Sequence, residues 1–170
     1  MIRRAGPVVV LVALLLIGCG SHESESTRTE QQLQADGFGC RTLTVTGDGQ
    51  APLTECVWVA DTPELQRRGL MGVDDPDLGG RPGMVFVFES PVEATFWMKD
   101  TPLPLTLVWV GRDGRVSGTR DMEPCVGGSV ATCAAVPPPG PFSMAIEVPR
   151  GRAPGLGLVP GALVSLGDPC

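Results

Sequence analysis

The chain has no tyrosine, a single histidine (His22) and a single lysine (Lys99). Each shortage removes chemistry. His22 lies near the N-terminus, outside the stretch that carries the core-forming residues. A folded domain here has no histidine general base, which excludes Ser-His-Asp and Cys-His nucleophile machinery and any zinc site built on histidine. No GxxxxGK[ST] phosphate loop occurs and no GxGxxG follows a strand. Basic runs are missing too. With Arg3 and Arg4 set aside, 11 basic residues face 19 acidic ones, a net of −8. Nucleic-acid binding depends on neutralising phosphates and is excluded as a role, as is attraction to anionic lipid headgroups. No CxxC pair is present, which argues against a thiol redox site. No cofactor is implied, and no metal. Asp74-Asp75-Pro76-Asp77 lacks the Asp-x-Asp-x-Asp-Gly pattern of a calcium loop and reads as a solvated turn. Met71, Met84, Met98, Met122 and Met144 sit among apolar neighbours and read as core rather than as copper ligands.

What is present begins at the N-terminus. Arg3 and Arg4 precede an apolar run from Val8 to Ile17, followed by Gly18 and Cys19. This is the layout of an export signal over residues 1–18, with an apolar core too short to span a bilayer. Leu16-Ile17-Gly18-Cys19 resembles the lipobox of bacterial lipoproteins. That resemblance implies a palmitate-bearing Cys19 as the mature N-terminus and membrane anchoring on the extracytoplasmic side of the cell envelope. Residues 19–37 then read as a flexible tether. Gly20 to Asp36 has one aliphatic anchor, Leu33, and no aromatic, too little apolar surface to offset chain entropy. Residues 38–170 have the length and apolar content of one domain.

An exported chain pairs most of its cysteines. Cys40 and Cys56 flank a hairpin-like stretch, and Cys125 and Cys133 bracket a short loop. The expected bridges are Cys40–Cys56 and Cys125–Cys133 with Cys170 left over; the alternative is that Cys170 displaces one of these partners.

The local patterns are mostly strand. Thr42–Thr46 alternates polar with apolar, and Val57–Ala60 is a short apolar run. Met84–Phe88, Ala94–Met98, Leu105–Val110, Met144–Val148 and Ala162–Leu166 follow, punctuated by glycine and proline. Asp113-Gly114 signals a hairpin turn. Only Thr62 to Met71 looks helical, with Thr62 as cap, Pro63 in the first turn and Gly69 as stop. The set predicts a mainly β fold: a compact jelly-roll-like β-sandwich or barrel with one or two short helices.

Several segments occur in a telling order: Arg67-Arg68-Gly69-Leu70-Met71, Gly83 to Phe88, Phe96-Trp97-Met98-Lys99-Asp100-Thr101-Pro102-Leu103-Pro104-Leu105, Asp113 to Val116, Asp121 to Cys125, and Ala145 to Gly151. Together they resemble domain-of-unknown-function family 192, over roughly Val57 to Leu166. The resemblance implies a jelly-roll-like β-sandwich and no settled activity. With the Met-Glu-Pro-Cys loop and the lipobox, the chain resembles exported members from high-GC bacteria. It departs from the family pattern at three places. Asp100 stands where Asn is usual, Thr106 where Asp is frequent, and Val73 where an arginine is common.

Lys99 is conspicuous without any family. Where arginine is the default, a lone lysine offers a compact ammonium. Alternation along an extended segment puts it on one face with Trp97, a combination suited to a sugar or peptide. The plainer alternative pairs Lys99 with a carboxylate and buries Trp97 in the sandwich. The candidate ligand-binding residues are Arg67, Trp97, Lys99, Asp100 and Glu147. Arg67 and Arg68 close a helix, where they complement its dipole or clamp an anion. Glu89, Glu93, Asp100, Asp121, Glu123 and Glu147 offer carboxylates for glycoside cleavage, which requires a suitably spaced pair. The expected role is a binding module for a cell-wall glycan, a peptide or another envelope protein. The alternatives are a carboxylate-dependent hydrolase acting on envelope carbohydrate and a structural assembly module.

Overall fold

The computed structural model describes residues 24–47, 49, 51–129 and 131–170. The expected signal segment, Cys19 and His22 lie outside the described residues. The element order is α1 (Glu25–Ala35), β1 (Gly39–Thr46), β2 (Leu53–Ala60), α2 (Pro63–Arg68), β3 (Met84–Val92), β4 (Leu105–Val110), β5 (Val116–Met122), β6 (Phe142–Pro149), a single 3₁₀ turn (Pro154–Leu156) and β7 (Leu163–Pro169). One seven-stranded sheet runs β5-β4-β6-β3-β2-β1-β7. Every neighbouring pair is antiparallel except β2 and β3, which are parallel and joined by the crossover that carries α2.

The sheet is rolled. Its two edges touch near the starts of β5 and β7, where Val116 N donates to Ala162 O at 2.9 Å and Val164 N to Gly114 O at 2.7 Å. The contact is one bridge, Arg115 to Leu163, not a ladder, so the fold is mainly β as expected but is not a closed barrel. Alternation sends residues to two apolar clusters. Inside the roll lie Val45, Val57, Val85, Val108, Ile146 and Val164. On the outer face lie Trp58, Met84, Phe86, Leu107, Trp109 and Ala145, covered by α1, α2 and the long connections. β4 is buried along its whole length, because both of its faces are covered.

Most of the expected strands are present, and the Asp113-Gly114 turn joins antiparallel β4 and β5. α2 has the expected signals: Thr62 Oγ1 accepts from Leu65 N at 3.3 Å, and Gly69 closes the C-terminus. Ala94–Met98 is not a strand. It holds only an isolated bridge from Phe96 to Val136. β5 was missed, since most of its side chains are exposed or half-buried and give no apolar alternation.

The segment expected to be a flexible tether contains α1. Ser24 caps this helix, and Leu33 is 1% exposed in the outer cluster. Polar contacts that hold α1 and its C-cap to the domain include Ser26 Oγ to Asp75 Oδ2 at 3.2 Å, Glu30 Oε1 to Arg81 Nη2 at 3.1 Å, and Asp36 Oδ2 to Arg68 Nη2 at 2.7 Å. The helix is fixed by tertiary contacts that composition does not reveal. In the 74–77 stretch Asp74, Pro76 and Asp77 are exposed, as a solvated turn requires, but Asp75 is buried. Burial disfavours its charge, but donors from Gly79 N, Asp77 N and Ser26 Oγ outweigh this and hold the carboxyl below its usual range.

The cysteine pairing also differs from expectation. The bridges are Cys56–Cys170 and Cys125–Cys133, and Cys40 is the free thiol among the described residues. Register explains it. Cys56 lies opposite Thr42 and Cys40 opposite Trp58, so Cys40 and Cys56 are diagonal neighbours. Such pairs are about 7–8 Å apart, beyond disulfide reach. Cys170, just past β7, comes within 6.1 Å of Cys56 between Cα atoms. The sulfur of Cys40 instead accepts from Arg81 Nε at 2.9 Å.

Candidate functional site

On the outer face, a cavity of about 210 Å³ opens between the C-terminal end of α2, the outward side chains of β3 and β6, and the segment 94–101. Its walls form for identifiable reasons. Alternation along β3 puts Met84, Phe86 and Phe88 on one face, and the last two line the cavity. Gly69 ends α2 at φ 46°, and a Cβ there would sit 3.2 Å from the Phe86 ring, so a glycine lets the helix end and the ring approach. The opposite wall, Ala94 to Trp97, is irregular backbone. The Phe96–Val136 bridge secures it at one end. At the other, Asp100 N donates to Cys125 O at 2.8 Å and Cys125 N to Thr101 O at 3.2 Å. The Cys125–Cys133 bridge therefore braces this wall from behind. Phe96 meets Phe86 edge-on at 5.2 Å between ring centres.

Glu147 is the polar feature of the interior. It lies on β6 between Met84 of β3 and Leu107 of β4, is 5% exposed, and borders the cavity. No side-chain hydrogen bond or ion pair reaches its carboxyl among the described residues. Desolvation pushes its pKa up to about 8. At neutral pH the free protein therefore holds it mostly as the neutral acid.

Of the five expected ligand-binding residues, the structure places Arg67, Trp97 and Glu147 around this cavity. Lys99 and Asp100 are not among its lining residues; they form an ion pair with each other, which holds the Asp100 carboxyl below its usual range. The plainer alternative thus describes Lys99, but not Trp97, which is 38% exposed at the cavity and not buried in the core. Asp100 adopts φ 53°, a left-handed conformation in which Asp and Asn are the favoured non-glycine residues. That accounts physically for an Asp where the resembled family has Asn. Thr106 is buried with Oγ1 2.7 Å from Asp121 Oδ1, and Val73 is a core residue; neither borders the cavity.

Both arginines at the cavity edge already have partners. Arg67 pairs with Glu64 at 3.0 Å and Arg68 with Asp36 at 2.7 Å. Phe86, Phe88, Phe96 and Thr101 were missed as site residues. The signal for the first two was available: positions 84, 86 and 88 of one strand share a face. Phe96 and Thr101 sit in irregular backbone with no periodicity to read. Among the described residues no cluster of three metal-ligating side chains occurs, and no helix is long and apolar enough to cross a membrane.

No curated protein matches the chain. A structure from Novosphingobium aromaticivorans, a protein of unknown function, is 32% identical, with the match covering 74% of this chain and 84% of that one at a TM-score of 0.62. A second, from Sinorhizobium meliloti and provisionally assigned as a transcription regulator, is 21% identical over 76% of this chain and 95% of that one, with a TM-score of 0.63; this second likeness is one of fold alone. The family model for the uncharacterized ACR proteins termed DUF192 matches residues 43–166, and the chain belongs to that family.

Proposed function

We propose that this protein is a lipid-anchored module of the cell envelope that binds a small ligand in the cavity beside α2. One observation carries the binding part: a buried carboxyl with no partner among the described residues borders an aromatic-walled cavity. A buried polar group left unpaired is costly, and binding sites are where such groups find their partner. The lipobox-like Leu16-Ile17-Gly18-Cys19 supports the anchoring part, and two disulfides suit an oxidising compartment.

Glycoside cleavage uses two carboxyls, and Glu147 is the only carboxylate among the residues that line this cavity. That favours binding over the hydrolase reading. The test of anchoring is metabolic labelling with an alkyne fatty acid in a bacterial host: label on the parent and none on Cys19→Ser is expected, and equal labelling refutes it. The test of binding is a thermal-shift screen of small cell-wall fragments, peptides and amines, with Trp97→Ala beside the parent. A ligand at 100 times its dissociation constant adds about 2.7 kcal/mol of stability. The expected result is a shift in the parent that is diminished in the variant; a shift unchanged by Trp97→Ala removes this cavity as the site.

A further inference from the structure

Resting on the binding role just proposed, we infer that the cavity takes a small organic ammonium ion, with the Glu147 carboxylate as its counter-charge and the rings of Phe86, Phe88, Phe96 and Trp97 as its walls.

The argument starts from what Glu147 is denied. An ionised carboxylate accepts several hydrogen bonds, and a neutral acid donates one. Among the described residues, neither form has a side-chain or backbone partner. Basic groups stand at the same cavity, but Arg67 is held by Glu64 and Arg68 by Asp36. The charged groups facing Glu147 across the cavity are those two arginines on α2. β3 and β4 place Met84 and Leu107 beside it, and the 94–101 wall contributes Thr95 and Thr101. None of these last four ionises. The described residues supply no complement to the carboxyl, and a ligand in the cavity can.

The chemistry of the walls selects that complement. A carboxylate or phosphate on the ligand accepts from the protonated acid but is repelled once Glu147 ionises, so its binding, like that of a neutral acceptor, weakens as pH rises toward 8. An ammonium group supplies charge-assisted donors to the carboxylate. Aromatic faces attract a cation and bury its alkyl substituents. A neutral ligand satisfies only part of this, by accepting from the protonated acid. The two cases differ in sign with pH. A permanent cation binds the ionised form and displaces the proton, so its affinity rises as pH approaches 8 and then levels. A neutral acceptor binds the protonated form and weakens over the same range.

The experiment is calorimetric titration of the full chain with choline and with n-butylammonium, each beside its uncharged counterpart, 3,3-dimethylbutan-1-ol or 1-butanol. At least one cation should bind more tightly than its neutral counterpart. For choline, which cannot lose its charge, affinity should rise by roughly 50- to 100-fold between pH 6 and pH 8.5. Glu147→Gln should abolish both the preference and the pH dependence, while Phe88→Leu should weaken the cation more than the alcohol. The parent's pH profile decides the matter even if a variant folds poorly. Equal or tighter binding of the alcohols overturns the cation inference and leaves the binding role standing. Binding of neither cation nor alcohol overturns the cation inference, and the binding role then stands or falls on the wider ligand screen. A cation preference that survives Glu147→Gln removes Glu147 as the counter-charge and overturns the inference.

Discussion

Replacing Glu147 by glutamine should make the protein more stable at alkaline pH and flatten part of its stability profile. The unfolded chain ionises this group near 4.5, whereas burial raises it to about 8 in the folded state. Between those values the folded protein holds a proton that the unfolded chain has lost. Stability contributed by the group is therefore complete below pH 4.5 and declines as pH rises toward 8. Across that window each pH step of one costs the folded state about 1.4 kcal/mol, and the whole window about 5 kcal/mol. Between pH 5 and pH 8 the parent should lose roughly 3 to 4 kcal/mol through Glu147 alone. Glutamine has nearly the same shape and no titration, so the variant loses this slope and keeps whatever other groups contribute. Urea denaturation at several pH values measures both proteins, provided the dependence on urea concentration is the same for each. The difference in stability between variant and parent should grow in the variant's favour by roughly 3 to 4 kcal/mol from pH 5 to pH 8. Parallel profiles would refute the reasoning, because they would mean that Glu147 is solvated or paired in the folded state.

The remaining predictions concern what holds the cavity's surroundings. Cys170→Ser opens a link across 114 residues and Cys133→Ser one across 8; chain entropy gives costs of about 5 and about 2.5 kcal/mol. Denaturation under oxidising conditions should rank them in that order, and peptide mapping of Cys40→Ser should still recover the Cys56–Cys170 bridge. Trp58 Nε1 donates to Leu78 O at 2.7 Å, whereas buried Trp109 Nε1 has no partner among the described residues. Trp58→Phe should therefore cost about 1 kcal/mol more than Trp109→Phe, and equal losses would show that Trp109 is satisfied in solution. Leu33→Ala should destabilise the domain by about 2–5 kcal/mol, measured by thermal unfolding; a loss under about 0.5 kcal/mol would return residues 25–35 to the flexible class.

The sheet was legible where a strand's own pattern matched its burial, as in β3 and β4, and α2 was legible because its caps are local. Three features were not, and each for the same reason: the deciding partner is distant in sequence. Leu33 looks like a stray aliphatic in a polar tether until Asp75, Arg81 and Arg68 are brought to its helix. Cys40 looks like the neighbour of Cys56 until the strand register displaces it by two residues. The wall from Ala94 to Trp97 looks like a strand, but its backbone is held at Val136 and Cys125 and turns Trp97 outward. The candidate site inherits this division. Glu147 could be singled out as a carboxylate in an apolar strand, yet its isolation is a property of three strands together. Met84 and Leu107 deny it a donor on either side, and Glu64 and Asp36 occupy the two guanidiniums at the cavity edge. Burial makes this acid costly to ionise in the free domain, and the cavity it borders is where a compensating interaction can form. The same burial that weakens the free protein at alkaline pH would strengthen its hold on a cation. The stability profile of Glu147→Gln and the pH profile of choline binding therefore test one electrostatic cause from opposite directions.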